Sequence, residues 1–122
     1  MRVTVAKTAG FCYGVKRAVE LAEEALRTKT GPCAMLGPVI HNNTVIDHLK
    51  SLGAMVIQHP EEAGEGSVVI LRSHGEGKAV HDILEKRGVR IVDATCPNVS
   101  RIHKRVRQAQ EEGRRVIIVG AP

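Results

Sequence analysis

Two hydrophobic periods alternate along this chain. Short apolar runs of strand length occupy residues 3–6, 33–36, 55–57, 67–71, 90–92 and 115–119. Between them, apolar positions recur every three or four residues, which is the spacing of one helix face. Residues 15–28 carry Val15, Ala18, Val19, Ala22, Ala25 and Leu26 on such a face. Residues 43–52 carry Val45, Ile46, Leu49 and Leu52 inward and stop at Gly53, and residues 77–87 carry Val80, Ile83 and Leu84 and stop at Gly88. A glycine just past the last apolar position is a common helix stop. Residues 98–112 form a fourth helix, with Asn98 as its N-cap and Val99, Ile102, Val106 and Ala109 on its apolar side. The stretch 58–66, with Pro60 and two glycines, reads as a polar loop.

Strands that are apolar throughout, alternating with amphipathic helices, predict an α/β fold: a mostly parallel sheet with helices on both faces. Connections of this length suit right-handed crossovers. The 122 residues amount to one domain, residues 1–122. The chain closes with Val119, Gly120, Ala121 and Pro122, where a strand has just ended and a functional loop is expected to begin. A truncated domain is the expectation from that ending.

This topology brings distant residues together. In a parallel sheet, the loops leaving the strands all open on the carboxyl edge, where ligands bind. Four such loops carry chemistry. They contain Cys12 between Gly10 and Gly14, His41 beside Asn42, His74 between Ser73 and Gly75, and Cys96 before Pro97. Glycines let backbone approach a bulky inorganic group. The positive end of a helix behind Cys96 favours its thiolate. Either cysteine alone is most simply a small buried hydrophobe. As a pair on one rim they suit a soft metal or an iron–sulfur cluster. His41 and His74 on the same rim suit an anion such as phosphate. Cys33 opens an apolar run and belongs to the core, and His48, His59, His81 and His103 read as solvated.

Composition narrows the choice. Three cysteines at wide spacing do not make a disulfide framework. No close ligand pair such as C-x-x-C marks a structural zinc site, although a zinc- or phosphate-binding, non-catalytic α/β module remains the alternative reading. The net charge of +5 raises nucleic-acid binding through the face bearing Arg101, Lys104, Arg105, Arg107, Arg114 and Arg115. No nucleic-acid motif accompanies it, so a solvated face, or a dock for an acidic electron donor, ranks ahead. Phe11 and Tyr13 are the only aromatics available to the core. No apolar run is long enough for a membrane span and no signal peptide is visible, so the cytoplasm is the expected location.

The run Gly10-Phe11-Cys12-Tyr13-Gly14-Val15-Lys16-Arg17-Ala18-Val19 resembles the N-terminal signature of the 4-hydroxy-3-methylbut-2-enyl diphosphate reductase, or LytB, family. Val39-Ile40-His41-Asn42, Ser73-His74-Gly75 and Asp93-Ala94-Thr95-Cys96-Pro97 are similar to its next three motifs, in order. The resemblance covers essentially the whole chain. It implies the first lobe of a three-lobed α/β protein around a [4Fe-4S] cluster, with Cys12 and Cys96 as two of three cluster ligands. It implies that His41 and His74 contact the substrate diphosphate. The implied activity is reductive removal of an allylic hydroxyl, yielding isopentenyl and dimethylallyl diphosphates in the non-mevalonate pathway. Ferredoxin or flavodoxin is the implied electron donor. The family's third cysteine, its proton-donating glutamate and the rest of its diphosphate site lie in later lobes, absent here. Glu76 and Asp93 stand near the rim but match neither. The resemblance therefore implies an enzyme whose first 122 residues are inactive alone.

Overall fold

The structure, a computed structural model, describes residues 1–120. The elements are α1 (Tyr13–Thr28), β1 (Cys33–Leu36), α2 (Asn43–Ser51), β2 (Ala54–Ile57), a 3-10 turn at Pro60–Glu62, β3 (Val68–Leu71), α3 (Lys78–Lys86), β4 (Arg90–Asp93) and α4 (Pro97–Glu111). The four strands form one sheet in the order β2-β1-β3-β4, and every pairing is parallel.

The two central strands are buried at every position, as strands covered on both faces must be. Their side chains alternate between two cores. Cys33, Met35, Val68 and Ile70 pack under α1 and α2 with Ala18, Ala22, Leu26 and Leu49. Ala34, Leu36, Val69 and Leu71 pack on the opposite face with Leu84 of α3 and Ala63 beside the 3-10 turn. The alanines of α1 bring that helix close to the sheet, with Ala18 and Ala22 fully buried. Helices α2 and α3 are followed by Gly53 and Gly88, both at positive φ (+92° and +65°), a backbone region that L side chains rarely enter. The expected α/β architecture, with helices on both faces, is the observed one.

The two outermost expected strands do not form. Residues 3–6 and 115–119 carry no strand or ladder pairing, and Val3, Val5, Ile117, Ile118 and Val119 are exposed. β-branched composition supplies only half of a ladder, and a strand exists only when another edge accepts its hydrogen bonds. Helix α4 shows why residues 115–119 find none. It has no buried residue, and Ile102 on its expected inner face is exposed. A helix that does not dock on the sheet cannot return the chain to the sheet's edge.

Smaller departures follow the same logic. Leu52 is the C-cap of α2 and is exposed rather than inward. Pro97 takes the first helical position of α4, so Cys96, not Asn98, is its N-cap. Phe11 and Tyr13 lie outside the core. The loop expected after Val119 falls largely outside the described residues.

Candidate functional site

Helices in a parallel α/β unit run against the strands, so their N-termini open on the same carboxyl edge as the strand-end loops. Cys12 and Cys96 use this directly. Cys12 is the N-cap of α1 and Cys96 the N-cap of α4. Cys12 reaches the rim through the placement of α1, not through a preceding strand.

The rim loops are stitched together in the order of the sheet. Ser73 N donates to Val39 O at 3.0 Å, joining the loop after β3 to the loop that carries His41. Cys96 N donates to Ser73 O at 2.8 Å, joining the loop after β4 to the loop that carries His74. Arg17 Nη1 donates to Thr95 O at 3.2 Å, joining α1 to the Cys96 loop. His41, His74, Cys96 and the start of α1 thus form one connected edge.

Gly14 gives the closest approach. A Cβ built on it falls 2.4 Å from Cys96 Sγ. The sulfur occupies the space that a side chain at position 14 would take. Two consecutive peptide units separate Cys12 from Gly14, so the Cys12 Cα lies at most about 12 Å from the Cys96 sulfur. Cys12 is exposed, Cys96 half-buried, and both are free thiols. Cys33 is also free but 99% removed from solvent, with 1% exposure in the core. Burial pushes its thiol pKa up, while Lys29 and Arg90 oppose that shift. It takes no part in the rim.

The two histidines face one another. The rings of His41 and His74 stack with centroids 6.0 Å apart and planes 8° from parallel. His74 is exposed overall, yet partial loss of solvent around its ring lowers its pKa first, and the charges of Arg72 and His41 lower it further, while Glu76 and the Gly75 backbone act in the other direction. Arg72 pairs with Glu76, whose side chain is only 10% exposed. The guanidinium of Arg72 also lies against Gly37, whose built Cβ would meet Nη1 at 3.3 Å. A cation that acts on His74 is thereby held in place. A groove of about 570 Å³ opens from His74 between α3 and α4, past Gly75, Ile102, His103 and Val106.

Sequence pattern had pointed to Cys12, Cys96, His41 and His74, but not to Arg17, to the fit of Gly14 against Cys96, or to the Arg72–Glu76 pair as a support. Arg17 does follow Gly14 at helical spacing, so both share a face of α1. Nothing local to either residue names its partner 78 or more positions away.

A family model described as LytB protein matches residues 3–122. This chain belongs to that family. Among LytB relatives, the 4-hydroxy-3-methylbut-2-enyl diphosphate reductase of Aquifex aeolicus (strain VF5) is 47% identical over 118 residues, 97% of this chain and 40% of the relative. The reductase of Azoarcus sp. (strain BH72) is 38% identical over 97% of this chain and 38% of its own length. A solved structure of (E)-4-hydroxy-3-methyl-but-2-enyl diphosphate reductase aligns with a TM-score of 0.84 at 45% identity, over 98% of this chain and 42% of that one. The Plasmodium falciparum reductase aligns with a TM-score of 0.82 at 32% identity, over 87% of this chain and 33% of its own. The chain spans about 40% of the length of the Aquifex relative it matches.

The donor set fits an iron–sulfur group in part. Soft thiols at two helix N-termini, with a glycine cradle beside one sulfur, are the right chemistry. Among the described residues, however, no group of three or more His, Cys, Asp or Glu side chains could hold a metal ion. The described residues thus bring at most two rim thiols toward such a group.

Proposed function

We propose that this chain is the N-terminal α/β lobe of a 4-hydroxy-3-methylbut-2-enyl diphosphate reductase, the first of three lobes, with Cys12 and Cys96 as two ligands of a [4Fe-4S] cluster and His41 and His74 as part of the diphosphate site. The observation that carries the reading is the connected carboxyl edge, on which the Cys96 loop and the loops of a stacked histidine pair are hydrogen-bonded to one another and tied through Arg17 to α1, the helix that Cys12 caps. Membership of the LytB family supports it. When bound, such a cluster supplies electrons and an iron with an open position that can act as a Lewis acid toward the allylic hydroxyl.

The chain's own residues hold and orient. His41 and His74 lie side by side at a spacing that lets one phosphate group bridge the edges of the two rings, accepting a ring N–H hydrogen bond from each. Bound anion favours the protonated form of His74, and Arg72, whose charge acts on that ring, adds to the positive potential at the site. Anchoring the diphosphate at this end holds the hydroxyl end of the substrate toward the thiols, which converts diffusion into a positioned encounter. The overall reaction consumes two electrons and two protons and releases water. A small acidic carrier, ferredoxin or flavodoxin, supplies the electrons, for which the basic face of α4 is a suitable dock. The reading puts the enzyme in the cytoplasm. No described helix is long and apolar enough to cross a membrane.

The test is a chimera in which this chain replaces the matching segment of the Aquifex aeolicus reductase. Anaerobically prepared chimera should contain iron and acid-labile sulfide and reduce the allylic substrate with a chemical reductant. Cys12→Ser or Cys96→Ser should abolish both. A folded chimera that lacks labile sulfide, or whose activity survives either serine substitution, overturns the reading.

A second reading draws on the histidine stack, which is complete within the described residues. The chain alone would then be a phosphate-binding module without catalysis. Pyrophosphate binding by the isolated chain, together with a chimera that never takes up sulfide, would favour it.

A further inference from the structure

We propose that Arg17 is a positioning residue for Cys96: by holding the Thr95 carbonyl it fixes where the Cys96 sulfur stands relative to α1, and hence to Cys12. The inference rests on the cluster reading given above.

The two cysteine loops are built very differently. Around Cys96, the backbone polar groups of residues 95 and 96 are all engaged. Thr95 N donates to Asp93 Oδ1 at 2.9 Å, and the Thr95 hydroxyl binds the same oxygen. Thr95 O accepts from Arg17. Cys96 N donates to Ser73 O at 2.8 Å, and Cys96 O accepts from Ser100 N at 2.9 Å. Around Cys12, the bond from Lys16 N to Cys12 O, at 2.9 Å, is the helix's own. Gly10 has φ +136° and nothing within 4 Å of a built Cβ. One thiol is therefore set by the fold, while the other sits on a loosely held arm.

Of the bonds that set Cys96, those from Asp93, Ser73 and Ser100 come from the sheet edge or from α4 itself. Arg17 alone crosses from α1, the helix whose first residue follows Cys12. Its guanidinium is half-buried and lies about one helical turn from Gly14, whose backbone touches the sulfur. Arg17 and Gly14 thus act on the same loop from the same helix face, one by attraction and one by contact. The separation of the two thiols is therefore controlled by α1. The cation also stands on the carbonyl immediately before Cys96, where positive charge would favour a reduced cluster over an oxidised one.

Arg17→Met keeps the aliphatic stem and removes the bond and the charge. Arg17→Lys keeps a charge and one donor. In the isolated 122-residue chain, alkylation of Cys96 under native conditions should change at least several-fold in Arg17→Met and return toward wild type in Arg17→Lys, with Cys12 alkylation unaltered. In the loaded chimera, Arg17→Met should lose iron to a chelator about ten-fold faster, the equivalent of one charge-assisted hydrogen bond. Its cluster should also show a lower reduction potential and altered electron paramagnetic resonance. A residue with a purely structural role would lower the melting temperature and leave potential and spectrum unchanged. Wild-type rates of alkylation and iron loss in Arg17→Met overturn the inference while leaving the cluster reading intact. A wild-type chimera without labile sulfide overturns the cluster reading itself, and the alkylation result then decides whether Arg17 still sets the thiol.

Discussion

Replacing Gly14 with alanine puts a methyl group where the Cys96 sulfur now stands. The new Cβ would lie 2.4 Å from Cys96 Sγ and 3.1 Å from Cys96 Cβ, well inside the roughly 3.5–4.0 Å at which non-bonded carbons rest. The sulfur must therefore withdraw by more than about 1 Å. Two effects of opposite sign compete. Alanine is favoured over glycine in a helix interior by about 0.5–1 kcal/mol, but position 14 is in the first turn of α1, where the gain is smallest. Overpacking costs about 1–3 kcal/mol. The balance is a net loss of up to about 2.5 kcal/mol, or up to roughly 15 °C in melting temperature for a domain of this size. Thermal unfolding followed by circular dichroism measures the loss. Native-state alkylation with peptide mapping reports whether the Cys96 sulfur has moved, and buried Cys33 serves as the unlabelled control. A Gly14→Ala chain that melts higher, with Cys96 alkylated at the wild-type rate, refutes the packing account and leaves Gly14 as an ordinary weak helix residue.

Leu84 is the fully buried anchor of α3, so Leu84→Ala should cost about 2–5 kcal/mol in urea unfolding; a loss below about 1 kcal/mol would mean that α3 is not held by that contact. Arg72→Met strands the nearly buried Glu76 carboxylate and should cost about 1.5–3 kcal/mol, reduced because Arg72 itself is 33% exposed, whereas Arg72→Met with Glu76→Leu should recover most of it. Equal stability in the single and double variants would contradict the pairing. The lowered His74 pKa means that the unfolded chain binds this proton more readily than the folded one. Its contribution to stability is full above the ordinary histidine value of 6.5 and is lost as pH falls through the lower folded value. His74→Asn should flatten that part of the pH–stability curve, and an unchanged curve would rule the assignment out. Pyrophosphate should reverse the sign by favouring protonated His74, so its affinity for the wild-type chain should rise as pH falls from about 8 to 6.

The alternation of apolar periods was sufficient to read out the four central strands, the four helices and the covering of both sheet faces. These features depend on residues within one turn or one strand of each other. The same reasoning erred at both ends of the chain. Residues 3–6 and 115–119 have strand composition but no partner edge among the described residues, and Leu52 and Ile102 have the period of inward positions but no surface to meet. The rim was legible as well, because parallel topology sends every strand-end loop and helix N-terminus to one edge, whichever residues those loops contain.

Chain order and side-chain chemistry alone placed Cys96, His41 and His74 at that edge, since period and handedness are local properties that propagate into topology, whereas Cys12 arrives there as the N-cap of α1 and not at the end of the strand expected at residues 3–6. Only the packed molecule decided that the Cys96 sulfur fills the hollow of Gly14, that Arg17 reaches Thr95, and that the two imidazoles lie parallel at 6.0 Å. Such contacts join positions far apart in sequence. They depend on the distance and orientation between whole elements, which are set by how two cores fill with side chains and not by any stretch of sequence taken singly.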